Sequence, residues 1–197
     1  MPNLPISQLP SASALEGAEI FPLVQGGITK QTTFATLASG SYEANSYYLS
    51  AYHTNSIYLT GSAYSIYSMS FNTTDLSNGI SISGSDNSKI KFYNNGVYNI
   101  QFSAQIDKTN SSNHKLYIWL AKNGTNVAYS NTAVAIFGGS NEESVAAWNF
   151  YTQASVGDYY QLLMATTDSN VLIQADASPS GSIPAIPSII LTVGRVG

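Results

Sequence analysis

Residues 97–106 constrain this chain more than any other stretch. Tyr98, Ile100, Phe102, Ala104 and Ile106 alternate with Asn99, Gln101, Ser103 and Gln105. A period of two belongs to a strand with one buried and one wetted face, and a helix does not present it. Asn95-Gly96 marks the turn before it. Residues 115–121 repeat the pattern, with Leu116, Ile118 and Leu120 opposite Tyr117 and Trp119. Lys122-Asn123-Gly124-Thr125 then carries a two-residue hairpin signal, because Asn-Gly accepts the positive φ of a tight turn. Further strands are expected over 146–153, 159–166, 171–174 and 188–193, with Gly157-Asp158 as a turn. Short strands at this spacing predict an all-β antiparallel sandwich or jelly roll.

Charged residues make up only 9% of the 197 residues, against about a quarter in ordinary soluble domains. Hydroxyl, amide and tyrosine side chains take their place, which disfavours long helices. A net charge of -4 without a basic stripe argues against nucleic acid and against anionic membrane binding. The absence of cysteine removes thiolate metal sites and disulfides, so stability is expected from packing and from subunit association. No signal peptide is visible at Met1-Pro2-Asn3-Leu4-Pro5, and the apolar stretch from Ile183 to Val193 is broken by Pro184 and Pro187. Synthesis in a cytoplasm is therefore expected.

Three regions are expected: 1–40, 41–68 and 69–197. Pro2, Pro5, Pro10 and Pro22 exclude a long helix from the first. Within it, residues 19–25 and 28–32 flank Gly26-Gly27 and read as a small hairpin, after which Thr33 caps a helical turn through Leu37, before Ser39-Gly40. This piece has too little apolar surface to stand alone. Ile20, Phe21, Leu23, Val24 and Ile28 are its attachment candidates. The second region is rich in tyrosine, including Tyr42. Tyr52, Tyr58 and Tyr64 recur every six residues and would share one face of an extended connector. With Tyr98 and Trp119 they are the candidate trimer interface; Trp119 and Trp148 read as core or interface rather than as sugar platforms.

Two resemblances follow from these motifs. Met69-Ser70-Phe71-Asn72, Ile90-Lys91-Phe92 leading to Asn95-Gly96-Val97-Tyr98, Leu116–Asn126 with Lys122-Asn123-Gly124, Ala154–Asp158 and Ser188–Leu191 resemble, in this order, the globular head of the C1q and tumour-necrosis-factor group. The likeness implies a jelly roll that assembles as a trimer, here without the collagen-like stalk of C1q. Ile6–Gly17, followed by Glu19–Lys30 with Pro22-Leu23-Val24-Gln25-Gly26-Gly27-Ile28-Thr29-Lys30, resembles the opening segment of tailed-phage tail-fibre and virion structural proteins. It implies that residues 1–40 attach to a particle and that the jelly roll projects outward.

Catalytic groups are sparse. His53 and His114 are expected on the surface, His114 in a loop, with no HExxH or thiolate partner. A triad of Asp107, His114 and a serine lacks the Gly-x-Ser-x-Gly elbow. Glu142 and Glu143 are adjacent, and so point apart in an extended chain instead of facing one cleft. Asp75, Asp86, Asp107, Asp168 and Asp176 are expected in loops without a calcium-loop run. No catalytic, metal or cofactor residue is assigned. The expected function is non-enzymatic: a homotrimeric capsid decoration, short head fibre or spike on the virion surface. A tail-fibre or receptor-binding protein and a stand-alone C1q-like carbohydrate or receptor-binding module are the alternatives. Expected partners are further copies of the chain, phage capsid or tail proteins, and a host cell-surface glycan.

Overall fold

A computed structural model describes residues 17–37 and 47–197. The chain divides into two compact units, Met1–Ser46 and Tyr47–Gly197. Readings that fall on residues 1–16 and 38–46, including Pro2, Pro5, Pro10, Tyr42 and Ser39-Gly40, lie outside the described residues.

In the first unit β1 (Ile20–Gln25) pairs antiparallel with β2 (Ile28–Thr33). Gly26 and Gly27 turn between them at φ of +62° and +77°, the positive pair that a two-residue turn requires. Residues 34–37 then form one helical turn. The Thr33 hydroxyl caps it by accepting from the Thr36 N–H at 3.2 Å.

The second unit is an antiparallel jelly-roll sandwich, the fold class expected from the sequence. One sheet holds β7 (Ile80–Ile82), β8 (Ile90–Phe92), β14 (Tyr159–Thr166), β10 (His114–Lys122) and β12 (Thr132–Ile136) side by side. β5 (Tyr67–Ser68) and β11 (Thr125–Asn126) add to its ends. The other sheet runs β6 (Thr73–Asn78), β3 (Tyr48–His53), β16 (Ile189–Arg195), β9 (Gly96–Lys108) and β13 (Ser144–Ala154). β15 (Val171–Ile173) continues the β16 position along β9 and pairs with β4 (Ile57–Tyr58). Strands consecutive in the chain change sheets, β9 to β10 and β12 to β13, which closes the sandwich around one core.

The alternation in β9 sets that core. Ile100, Phe102 and Ala104 turn inward in register with Val193, Leu191 and Ile189. Leu116, Ile118 and Leu120 of β10 meet them from the opposite sheet, beside Leu162 and Met164. Each such side chain contributes about 1.5–3 kcal/mol by leaving water. At one end Phe92 packs edge-on against Tyr98 and Tyr160, with centroids 4.6 and 5.7 Å apart. The two hydroxyls donate to the carbonyls of Asn94 and Gln153, so neither phenol is buried unpaired.

Three expectations need correction. Residues 48–64 are not one extended connector: β3 ends at His53, β4 is two residues long, and Tyr64 sits in a turn at φ +65°. The six-residue spacing of Tyr52, Tyr58 and Tyr64 therefore places them on no common face. Asp75 and Asp107 lie on β6 and β9 rather than in loops. His114 opens β10 and is buried, its Nε2 2.6 Å from Asn110 Oδ1, so it is neither a loop nor a surface residue.

Candidate functional site

The outward face of the β3–β16–β9–β13 sheet is built by the same alternation that fills the core. Register across it places Tyr52, Ile190, Ser103 and Ala147 in one row. Ser50, Thr192, Gln101 and Asn149 form the next, then Tyr48, Gly194, Asn99 and Tyr151. Val97 with Gln153 and Gln105 with Val145 close the two ends. None of these side chains is charged. The opposite sheet presents Lys91 and Lys115 at the corresponding outward positions.

The polar groups of this face partly satisfy one another. The Asn149 amide donates to Asn99 Oδ1 at 2.9 Å, and the Thr192 hydroxyl donates to Gln101 Oε1 at 3.5 Å. Covering such a ladder costs much less than covering free charges, because amides already paired lose little hydration. Small residues leave hollows between larger neighbours. One of about 170 Å³ lies at Ser103 and Ala147, and another of about 270 Å³ lies at Gly194. A third, of about 340 Å³, is walled by Tyr52, Ile186, Pro187 and Ile190, with Asp176 and Thr54 at its rim. An apolar and amide face with side-chain-sized hollows accepts the knobs of another protein surface.

The five residues expected at a trimer interface are separated. Tyr52 lies on the uncharged face, and Tyr58, 63% exposed, sits on the two-residue strand at the far end of the same sheet. Tyr64 and Trp119 belong to the outer face of the other sheet; Tyr64 packs on Tyr117, and the Trp119 indole donates to Asn126 Oδ1 at 2.8 Å. Tyr98 is wholly inside the sandwich and presents nothing to a neighbour. The inward position of Tyr98 follows from its place in the β9 alternation beside Ile100 and Phe102. Trp148 lies on the inward face of β13, edge-on to Phe102 at 4.8 Å, as a partly buried core residue.

In the N-terminal unit the attachment candidates fall on both hairpin faces. Ile20 and Val24 share one with Pro22. Phe21 and Leu23 share the other with Ile28, and Phe21 packs on Phe34 at 6.4 Å. Ile20, Val24 and Ile28 are 64%, 72% and 63% exposed, so the hairpin leaves these apolar side chains in water.

Titratable groups do not gather into a catalytic cluster. Among the described residues no three of His, Cys, Asp and Glu come close enough to hold a metal ion. Asp86 and Asp168 bind groups of their own loops, and Asp158 bridges its turn to Lys122 and Asn123 at the end of β10. The Ser88 hydroxyl and Lys89 lower Asp86, Lys122 and Asn123 lower Asp158 to about 2, and Asn170 lowers Asp168. Burial pushes the His53 imidazole below its ordinary value, opposed by a hydrogen bond to the Ser70 backbone; its Nδ1 has no partner among the described residues. Among the described residues no helix is long and apolar enough to cross a membrane.

No protein-family model matches the chain, and no curated protein matches it. Solved structures of murine APRIL at pH 5.0 and at pH 8.5 are similar to it. Each has a TM-score of 0.47 and 9% identity, covering 76% of this chain and 98% of the other. Strand order and register define the jelly roll.

Proposed function

We propose that the chain is a homotrimeric structural and binding component of a tailed-phage particle, a capsid decoration or short head fibre on the virion surface. Residues 1–40 grip the particle and the jelly roll faces outward. The observation that carries the self-association is the uncharged, hollowed face of the β3–β16–β9–β13 sheet, since hydrophobic and amide surface without charge is what a permanent interface buries. The apolar hairpin exposed on both faces, together with the likeness of residues 6–30 to virion proteins, supports attachment. The role is associative, not catalytic, and many weakly binding copies on one particle act through avidity. Asp86, Asp158 and Asp168 are each committed to structural partners, which favours this over glycan cleavage.

Sedimentation equilibrium of the purified chain tests the assembly: three times the chain mass is expected, and a folded monomer at micromolar concentration overturns it. Immunogold labelling of particles tests the location, with label expected on the capsid. Label on the tail moves attachment to a fibre, and unlabelled particles remove the virion role.

A further inference from the structure

On the sheet opposite the uncharged face, a groove of about 310 Å³ is lined by Tyr64, Tyr117 and Phe137, with Lys115, Asn113 and Thr167 among its polar groups. We propose that this groove binds an acidic saccharide, a sugar unit carrying a carboxylate. The inference deepens the outward-head reading and rests on it only for the source of the sugar.

The aromatic wall is the first reason. The Tyr64 and Tyr117 rings lie 6.2 Å apart at 46°, and Phe137 is 66% exposed beside them. Three rings concentrated in one open groove offer apolar faces for the C–H side of a pyranose, while the hydroxyls and amide around them serve its O–H groups. The volume lies at the small end of ligand pockets, roughly 300–1,000 Å³, which suits one or two sugar rings.

Construction of the wall is the second. Tyr64 is held at φ +65°, a backbone conformation that is costly for a bulky side chain, with its N–H donating to the Thr166 carbonyl at 2.8 Å. Both loops that bound the groove are tied to one buried cation. The Lys108 ammonium donates at 2.9 Å to the carbonyls of Ser112 and Gly138, the neighbours of Asn113 and Phe137. Its side chain is fully buried. A groove set by strain and by a buried lysine is preorganised for a ligand.

Charge is the third. Lys115 makes no ion pair among the described residues, and Asp168 acts on His114 of the groove wall. Asp168 accepts from Asn170, and Glu142 folds over Gly138. An unpaired cation at the rim selects an anion. A nucleic acid also stacks on rings, but it needs a basic track along its backbone, which a single lysine does not provide.

Calorimetric titration of the full chain with uronate hexasaccharides (galacturonate, mannuronate and hyaluronan fragments), with neutral maltohexaose and with a dT12 oligonucleotide tests the assignment. At least one uronate is expected to bind saturably and at least tenfold tighter than maltohexaose. Tyr117→Ala and Tyr64→Gly should each weaken it tenfold or more, and Lys115→Gln should abolish the acidic preference. Tyr64→Gly relieves the backbone, so its urea midpoint should not fall, separating lost binding from lost folding. No saturable uronate binding at millimolar concentration, equal binding of maltohexaose, tighter binding of dT12, or indifference to the three substitutions overturns the proposal. None of these outcomes bears on trimer mass or particle labelling.

Discussion

Lys122 and Asp158 join the end of β10 to the turn before β14, with Nζ 2.8 Å from the carboxylate Oδ2. The Asn123 amide donates to the other oxygen at 2.7 Å, and the Ser155 N–H donates to Oδ2 at 2.8 Å. The left-handed Asn123-Gly124 turn is thereby bound to the one opened by Gly157. A carboxylate with these donors strongly prefers to stay ionised.

The clasp makes stability acid-sensitive. The Asp158 carboxyl is lowered from 3.8 to about 2. A depressed carboxylate stabilises the fold above its unfolded value and loses that contribution as pH falls through the folded one. Urea midpoints should therefore drop between pH 4 and pH 2. Solvent screening of the partly exposed pair reduces the contribution to about 1 kcal/mol. Asp158→Asn should show a smaller drop over the same window.

Lys108→Met should destabilise the jelly roll by about 2 kcal/mol or more, because it leaves the Ser112 and Gly138 carbonyls without the ammonium that serves both. Denaturant unfolding measures the loss. Faster amide exchange in residues 109–113 and 137–142 should accompany it.

The buried Trp148 indole N–H has no acceptor among the described residues. Removing an unpaired donor offsets part of the packing lost, so Trp148→Phe should cost less than about 1 kcal/mol. Trp148→Ala should cost about 3–5 kcal/mol by emptying the space against Phe102 and Phe150. Near-equal urea midpoints for the two variants would contradict this reading.

Ala147→Glu places a charge in the hollow beside Ser103. The side chain points to solvent in the single chain, so far-ultraviolet circular dichroism should not change. Burying an unpaired carboxylate in an interface costs about 3–5 kcal/mol, which weakens self-association at least a hundredfold. Sedimentation should then show a monomer.

The strands were legible because burial on one face of a sheet writes a period of two, which β9 and β10 carry over most of their length. The hairpin turns were legible because Gly26-Gly27 and Asn123-Gly124 advertise positive φ. Cross-strand neighbours are set by register between distant segments, which no local pattern records. The tyrosine spacing misled for this reason: it is regular in the chain, but turns after His53 and around Tyr64 scatter the rings. The same limit hid the groove, since Tyr64, Tyr117 and Phe137 meet only once three separate segments have folded. In the sequence Asn99, Gln101 and Ser103 mark only the wet side of a strand. Their alignment with Ile190, Thr192 and Ala147 is what makes a charge-free plane. Lys108 gave no signal at all, because its acceptors are backbone carbonyls.

The position of β16 also governs how this sheet is held together. It lies between β3 and β9, and its residues follow all other strands of the sheet in the chain. Without residues 189–195 nothing among the described residues bridges those two strands, and Leu49, Ala51 and Phe102 lose their cross-strand partners Val193 and Leu191. Among the described strands, the β3–β6 and β9–β13 pairs are therefore joined into one sheet only through β16.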